Sequence, residues 1–136
     1  RGLLLRSPAR YQVGAARLIA LYQANREHLP ASMAEGVAKC WMDAEAYALA
    51  IYAMVAKLDS GGKIGPESST NKIFWSELDI DLTGTAMDIL GQTAELTAGN
   101  DWLEDYIFAL SGPIYAGSNE IQRNIIAERM LGLPRA

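Results

Sequence analysis

Apolar residues recur every three or four positions along almost the whole chain, and only short clusters of Gly, Pro and Ser interrupt them. No run rich in Val, Ile and Thr is long enough to compete as a strand, so the expected fold is all-α. A first helix runs from about Ser7 to Glu27, with Pro8 suited to its first turn, and Pro30 stops it. Ser32 followed by Glu35 has the form of a capping box, in which hydroxyl and carboxylate each satisfy a free backbone N–H. The second helix, to about Leu58, carries Val37, Trp41, Ala44, Ala48, Ile51, Val55 and Leu58 at helical spacing, widened by Met42, Leu49 and Tyr52. Such a broad apolar face implies burial on more than one side.

Asp59 to Gly65 forms a turn, and Pro66 with Glu67 opens a third helix that carries Ile73, Phe74, Leu78, Leu82, Met87 and Leu90 and ends at Gly91. A loop with Thr93, Gly99 and Asn100 leads to a short helical piece, Trp102 to Leu110. The fourth long helix starts at Ser118, repeats Ile121, Ile125, Ile126 and Met130, and closes at Gly132 and Pro134. Four antiparallel helices with short links read as an up-down four-helix bundle. Half of the 136 residues are hydrophobic, enough for one core, and no linker divides the chain. Trp41, Trp75, Met42, Met54 and Met87 are expected in that core.

Several function classes fall away. A net charge of −4 supplies no positive excess for a phosphate backbone, so no nucleic-acid partner is expected. Cys40 and His28 are the only residues of their kinds, which excludes an internal disulfide and a metal site needing two such ligands. One histidine also cannot furnish the paired Glu-x-x-His motifs of a di-iron bundle. A nucleophilic Cys40–His28 pair is open by spacing, but Cys40 lies on an apolar helix and reads better as a small core residue. The longest uncharged run, Ala46 to Ala56, is about half of the roughly 20 residues a membrane span needs. Arg1-Gly2-Leu3-Leu4-Leu5-Arg6 enters the periodicity without a Met, which reads as the cut end of a fragment rather than a signal peptide. On the fourth helix Arg123, Arg129 and Arg135 are interrupted by Glu120 and Glu128, so a solvated face or ion pairs are expected there rather than a basic face.

Chemistry concentrates in Gly112-Pro113-Ile114-Tyr115-Ala116-Gly117-Ser118-Asn119-Glu120. A tight turn delivers small residues and a hydroxyl to a helix start, where free N–H groups can receive a phosphate or a carbonyl oxygen. Ser118 is equally a plain N-cap, and the residues alone leave both readings open.

From Ile114 to Pro134, Ile-Tyr-Ala-Gly-Ser-Asn-Glu-Ile-Gln-Arg-Asn-Ile-Ile-Ala-Glu-Arg-Met-Leu-Gly-Leu-Pro closely resembles the C-terminal signature of the acyl-CoA dehydrogenase family. Lys72-Ile73-Phe74-Trp75-Ser76-Glu77-Leu78 is similar to the third helix of that family's C-terminal domain. The resemblance implies that residues 1–136 are the C-terminal helical bundle of an enzyme that also has an N-terminal helical domain and a middle β domain. FAD would sit between the middle and C-terminal domains, and the reaction would be α,β-dehydrogenation of an acyl-CoA, with an electron-accepting flavoprotein downstream.

The resemblance also assigns roles. Many family members carry a catalytic Glu where this chain has Ala116, so no catalytic base is identified in the chain. Others place that Glu on the first bundle helix, near or upstream of Arg1, or form mixed complexes in which one chain type catalyses. The Ala116 N–H survives the change and would polarise the thioester carbonyl, with Tyr115, Ala116 and Gly117 on the substrate side and room for a bulky, even ring-bearing, acyl group. Ser118 and Glu120 match flavin-contacting positions. Asp88 and Gly91 lie where many members read Gln-x-x-Gly-Gly, and the Asp88 anion suits a ribose hydroxyl better than a pyrophosphate. The family's Arg-x-Gln-Phe-Gly turn is not visible around Asn25 to Ala31. The expected protein is a bacterial, cytoplasmic homo- or hetero-oligomer of such subunits. The alternatives are a non-catalytic assembly subunit and an acyl-CoA oxidase.

Overall fold

A computed structural model describes residues 6–96 and 101–135, and among them every regular element is helical. The helices are α1 (Pro8–Asn25), continued by a 3-10 turn (Arg26–His28), α2 (Met33–Asp59), α3 (Glu67–Leu90), α4 (Thr93–Leu96), α5 (Asp101–Ala109) and α6 (Asn119–Arg129). The fragment reading of Arg1 to Leu5, and the loop positions Gly99 and Asn100, lie outside the described residues.

The bundle is organised around α3. Helices α1, α2 and α3 pack mutually, whereas α5 and α6 each rest on α3. Contact on so many sides buries α3 in a way its apolar residues alone do not predict. Ser69, Lys72, Ser76, Asp79, Thr83 and Ala86, spaced three and four apart, form one buried seam beside Trp75, Leu78, Leu82 and Ile89. Two hydroxyls in this seam bond within the helix, Ser76 to the Ile73 carbonyl (2.9 Å) and Thr83 to the Asp79 carbonyl (2.6 Å), so they are buried without being left unpaired.

Helix α1 presents Tyr11, Ala15 and Leu18 to the core, and α2 presents Val37, Cys40, Ala44, Tyr47, Ala48 and Ile51. Tyr11 meets Tyr47 edge to face, with centroids 4.9 Å apart. The inner face of α2 intersperses small Cys40, Ala44 and Ala48 with Val37, Tyr47 and Ile51. Trp41 and Met42 point away, which corrects the expectation for them: they are 49% and 55% exposed. Trp75 is buried as expected, and Met54 and Met87 are partly so.

Three local expectations also change. Ser32 makes no side-chain cap, because residues 30–35 enter α2 through a helical turn whose backbone already accepts: Met33 N–H bonds Pro30 O, and Glu35 N–H bonds Ser32 O. The capping box is therefore redundant. Around Thr93 the loop coils into α4, with the Ala94 and Glu95 N–H groups bonded to Gly91 and Gln92. On α6 the buried residues are Asn119 and Gln122, while Ile121 and Met130 of the expected apolar stripe are exposed, since this helix leans on α3 alone and meets its polar seam.

Candidate functional site

Between α5 and α6 the chain folds as a series of turns. Ile114 and Tyr115 both donate to Ser111 O (3.0 and 3.1 Å), and Gly112 donates to Ala109 O (2.8 Å). Gly112 is required where it lies: a Cβ there would come within 2.9 Å of Ala109 O and 3.3 Å of Ser76 Cβ, lifting the turn off α3. The next two residues of note have left-handed backbones, Ala116 at φ 58° and Gly117 at φ 89°, and Ala116 is the only non-glycine of this kind among the described residues. Such a conformation costs an alanine about 1–2 kcal/mol and persists only where neighbours enforce it.

The neighbours are identifiable. Asn119 N–H donates to Pro113 O (2.8 Å) and closes the loop at its base. The Gln122 amide donates to both Ala116 O and Gly117 O at 3.4 Å. The N–H groups of Ala116, Gly117 and Ser118 have no acceptor among the described residues, and Ala116 and Gly117 are exposed. Ser118 resolves one open reading: its Oγ accepts from Ile121 N–H (3.5 Å), so it caps α6. The Glu120 backbone N–H, and after it the Ser118 hydroxyl, hold the exposed Glu120 carboxyl below its ordinary range. The donors left for a ligand are backbone N–H groups at the positive end of α6.

Beneath the turn lies a polar frame. Lys72, fully enclosed, donates to Asn119 Oδ1 at 2.6 Å, and the Ser76 hydroxyl shares its one proton between the Ile73 carbonyl at 2.9 Å and this same oxygen at 3.2 Å. Asn119 Nδ2 donates to Glu77 (3.3 Å), which also pairs with Arg123 (2.7 Å). Burial pushes the Lys72 ammonium below its usual pKa, against the weaker opposing pull of Glu120 and Glu77.

An aromatic wall stands beside the turn. The Tyr115 ring lies 5.8 Å from Trp75 and 6.3 Å from Phe108. The Arg6 guanidinium covers Trp75 at 4.1 Å and Tyr115 at 5.5 Å, while its second contact, at 3.7 Å, is the Asp79 carboxylate. Burial raises the Asp79 pKa despite the cations of Arg10 and Arg6. Tyr47 OH donates to Arg6 O (3.0 Å), so the chain entering α1 is fixed against the wall from two sides. The Trp75 N–H and the Tyr115 hydroxyl are buried without a partner.

The fold thus gathers Tyr115, Ala116, Gly117, Ser118 and Glu120. It does not bring Asp88 and Gly91 to them: these end α3, whereas the turn rests on its first half, a separation of about 20 Å at 1.5 Å rise per residue. Gly91 closes α3 by donating to Met87 O (2.8 Å), and exposed Asp88 borders a shallow cavity of about 300 Å³ with Lys39, Cys40 and Thr85.

His28 is exposed, while Cys40 is buried 3.7 Å from the Thr85 hydroxyl with its thiol pKa raised by burial. That is a core cysteine. Arg123 and Arg135 are ion-paired to acids, as expected. Among the described residues no His, Cys, Asp and Glu cluster could hold a metal, and no helix is long and apolar enough to cross a membrane. Sequence reasoning assigned no role to Lys72, Asn119, Gln122 or Arg6. The three-and-four spacing of small and polar residues on α3 is the signal that could have exposed Lys72.

Residues 14–131 match the family model described as acyl-CoA dehydrogenase, C-terminal domain. Similar relatives include acyl-CoA dehydrogenase IpdE1 of Mycolicibacterium smegmatis, 47% identical over 73 residues, and that of Mycobacterium tuberculosis, 42% identical over 72. Each alignment covers 51% of this chain and less than a fifth of the relative, 18% and 19% respectively. Among solved structures, the Tcur3481-Tcur3483 steroid ACAD superposes with a TM-score of 0.80 at 20% identity, over 95% of this chain and 35% of that one. The ChsE4-ChsE5 complex from Mycobacterium tuberculosis gives 0.71 at 24%, over 98% and 37%. At these identities the structural likenesses speak for the fold alone. With the helical architecture, the turn before α6 and a family match over most of its length in agreement, the chain belongs to the acyl-CoA dehydrogenase family and comprises its C-terminal domain.

Proposed function

We propose that this chain is the thioester- and flavin-facing domain of an FAD-dependent enzyme that desaturates an acyl-CoA between its α and β carbons. The observation that carries the reading is the turn itself: N–H groups at Ala116, Gly117 and Ser118 without an acceptor among the described residues, at a helix N-terminus, on a backbone strained into place. A thioester carbonyl accepting from the Ala116 N–H gains enolate character in the transition state, which acidifies the α-carbon. The remaining donors fit the carbonyl oxygens of a flavin ring, so Gly117, Ser118 and Glu120 are the residues that would border FAD. When bound, FAD supplies the acceptor for the β-hydrogen, which leaves as hydride. Asp88 and Gly91, at the other end of α3, serve a cofactor contact separate from the turn.

Ala116 has no proton-accepting group, so the base comes from elsewhere. Arg6 supports a position near the entry to α1, because its stacking on Trp75 and Tyr115 sets that stretch of chain beside the turn. A second reading, a non-catalytic subunit in a mixed complex, is favoured by the Ala116 methyl and by structural neighbours whose names join two different chains. For substrate, the small residues of the turn and the steroid named for one neighbour favour a bulky, ring-bearing acyl group. An electron-accepting flavoprotein and a cytoplasmic setting complete the reading, the latter fitting a lone reduced cysteine.

The test uses the whole protein, flavin-loaded, mixed anaerobically with saturating acyl-CoA, with and without Ala116→Glu. Fast flavin bleaching in the wild type purified alone sinks the non-catalytic reading. In that active chain a second carboxylate beside the first raises one pKa, so Ala116→Glu should leave the rate flat or lower it. In a chain lacking a base, the variant should raise bleaching above background.

A further inference from the structure

We propose that Lys72 is a positioning residue for this site: its buried ammonium, acting through Asn119, fixes the turn so that the Ala116 N–H faces the thioester carbonyl. The inference rests on the functional reading above and adds a residue to it.

Stability alone does not explain a lysine here. Its side chain is fully enclosed, and its one hydrogen-bond acceptor is a neutral amide oxygen, Asn119 Oδ1, at 2.6 Å. Asn119 opens α6, so the cation stands behind the positive end of a helix, where the dipole disfavours it. Glu77 and Glu120 act on it only at a distance, and Glu77 is engaged by Arg123 at 2.7 Å. The Trp75 ring, 5.8 Å from Nζ, adds a modest attraction. A neutral side chain of similar volume would avoid most of the desolvation cost.

What the lysine achieves is geometric. The short bond from Nζ and the second from Ser76 fix Asn119 Oδ1 against α3, and the Glu77 carboxylate holds Asn119 Nδ2. With its side chain anchored at three points, the Asn119 backbone N–H is set for its 2.8 Å bond to Pro113 O, which closes the loop carrying Tyr115, Ala116 and Gly117. One turn further along α6, Gln122 then reaches the Ala116 and Gly117 carbonyls, which fixes the two peptide units that follow Ala116 and so holds its left-handed bend. The left-handed Ala116 is the outcome of this chain of contacts, which begins at Lys72 on the central helix. Loosening it by an ångström would misalign an oxyanion-type donor, an effect on catalysis rather than on substrate capture.

The experiment uses the whole flavin-loaded protein and a CoA thioester with oxygen in place of its β-carbon, which binds but has no β-hydrogen to lose. Its carbonyl, labelled with carbon-13, is followed by difference infrared spectroscopy, alongside kcat and KM for a turning-over substrate. The wild type should shift the carbonyl stretch to lower frequency. Lys72→Met should lose most of that shift and about ten-fold in kcat, with KM nearly unchanged and flavin retained. Asn119→Leu, which removes the acceptor instead, should do the same and carries the comparison if Lys72→Met fails to fold. A folded Lys72→Met or Asn119→Leu with the wild-type shift and kcat overturns the proposal. Absence of any shift in the wild type would instead remove the functional reading, and this inference with it.

Discussion

At the scale of single residues, the site depends on backbone conformation more than on side-chain chemistry. Ala116 carries no reactive group, and Ser118 spends its hydroxyl on the cap of α6 and on Glu120. Their value lies in N–H groups left without partners by a left-handed bend. Gly117 is the tightest point of that bend. A Cβ there would lie 2.5 Å from Gln122 Nε2, at a φ that L residues rarely adopt. Gly117→Ala should therefore destabilise the domain by about 1–3 kcal/mol, read as a lower urea midpoint at unchanged slope, and should displace the amide that holds Ala116. The turn around these residues was legible in the amino-acid order. Lys72 was not, because an isolated lysine on a helix is indistinguishable from a solvated one until the helices that enclose it are known.

Among the elements, the junction of α2 and α3 has the most direct electrostatic consequence. Lys57 near the end of α2 pairs with Glu67 at the start of α3 at 2.5 Å. That bond and the Glu67 and Gly65 backbone N–H groups hold the Glu67 pKa at about 2, against an ordinary 4.5. A carboxyl depressed on folding stabilises the native state at all pH above 4.5, and the contribution is lost as pH falls from 4.5 to about 2. Lys57→Met should flatten that part of the stability curve in thermal melts across this pH range. The difference should shrink in high salt, since the pair is exposed. Helix α2 also shows how far a pattern reaches. Its apolar stripe was evident, but it divides into an inner face and an outer ridge, and only packing against α1 and α3 decides which is which.

On the scale of the molecule, that outer ridge calls for a partner. Trp41, Met42, Leu49 and Tyr52 are each about half exposed or more and share roughly a quarter of the α2 circumference at 100° per residue. The isolated domain should therefore dimerise or form larger oligomers in sedimentation equilibrium, and Leu49→Lys with Tyr52→Glu should return it to a monomer. The same isolated domain should hold no FAD through gel filtration, because the turn offers donors to only one side of a flavin; a stoichiometric yellow fraction would contradict this. What the sequence alone determined was the all-helical class, the approximate limits of the long helices and the turn before α6, because periodicity, Gly and Pro placement and an N-cap serine are encoded locally. Tertiary packing alone made α3 the centre, enclosed Lys72 and Asp79, and put Tyr47 in the core with Trp41 and Met42 outside it. It also separated Asp88 and Gly91 from the turn by most of the length of α3. Each of these depends on which helix covers which, and burial is a property of neighbours brought together from distant parts of the chain, which no local spacing records.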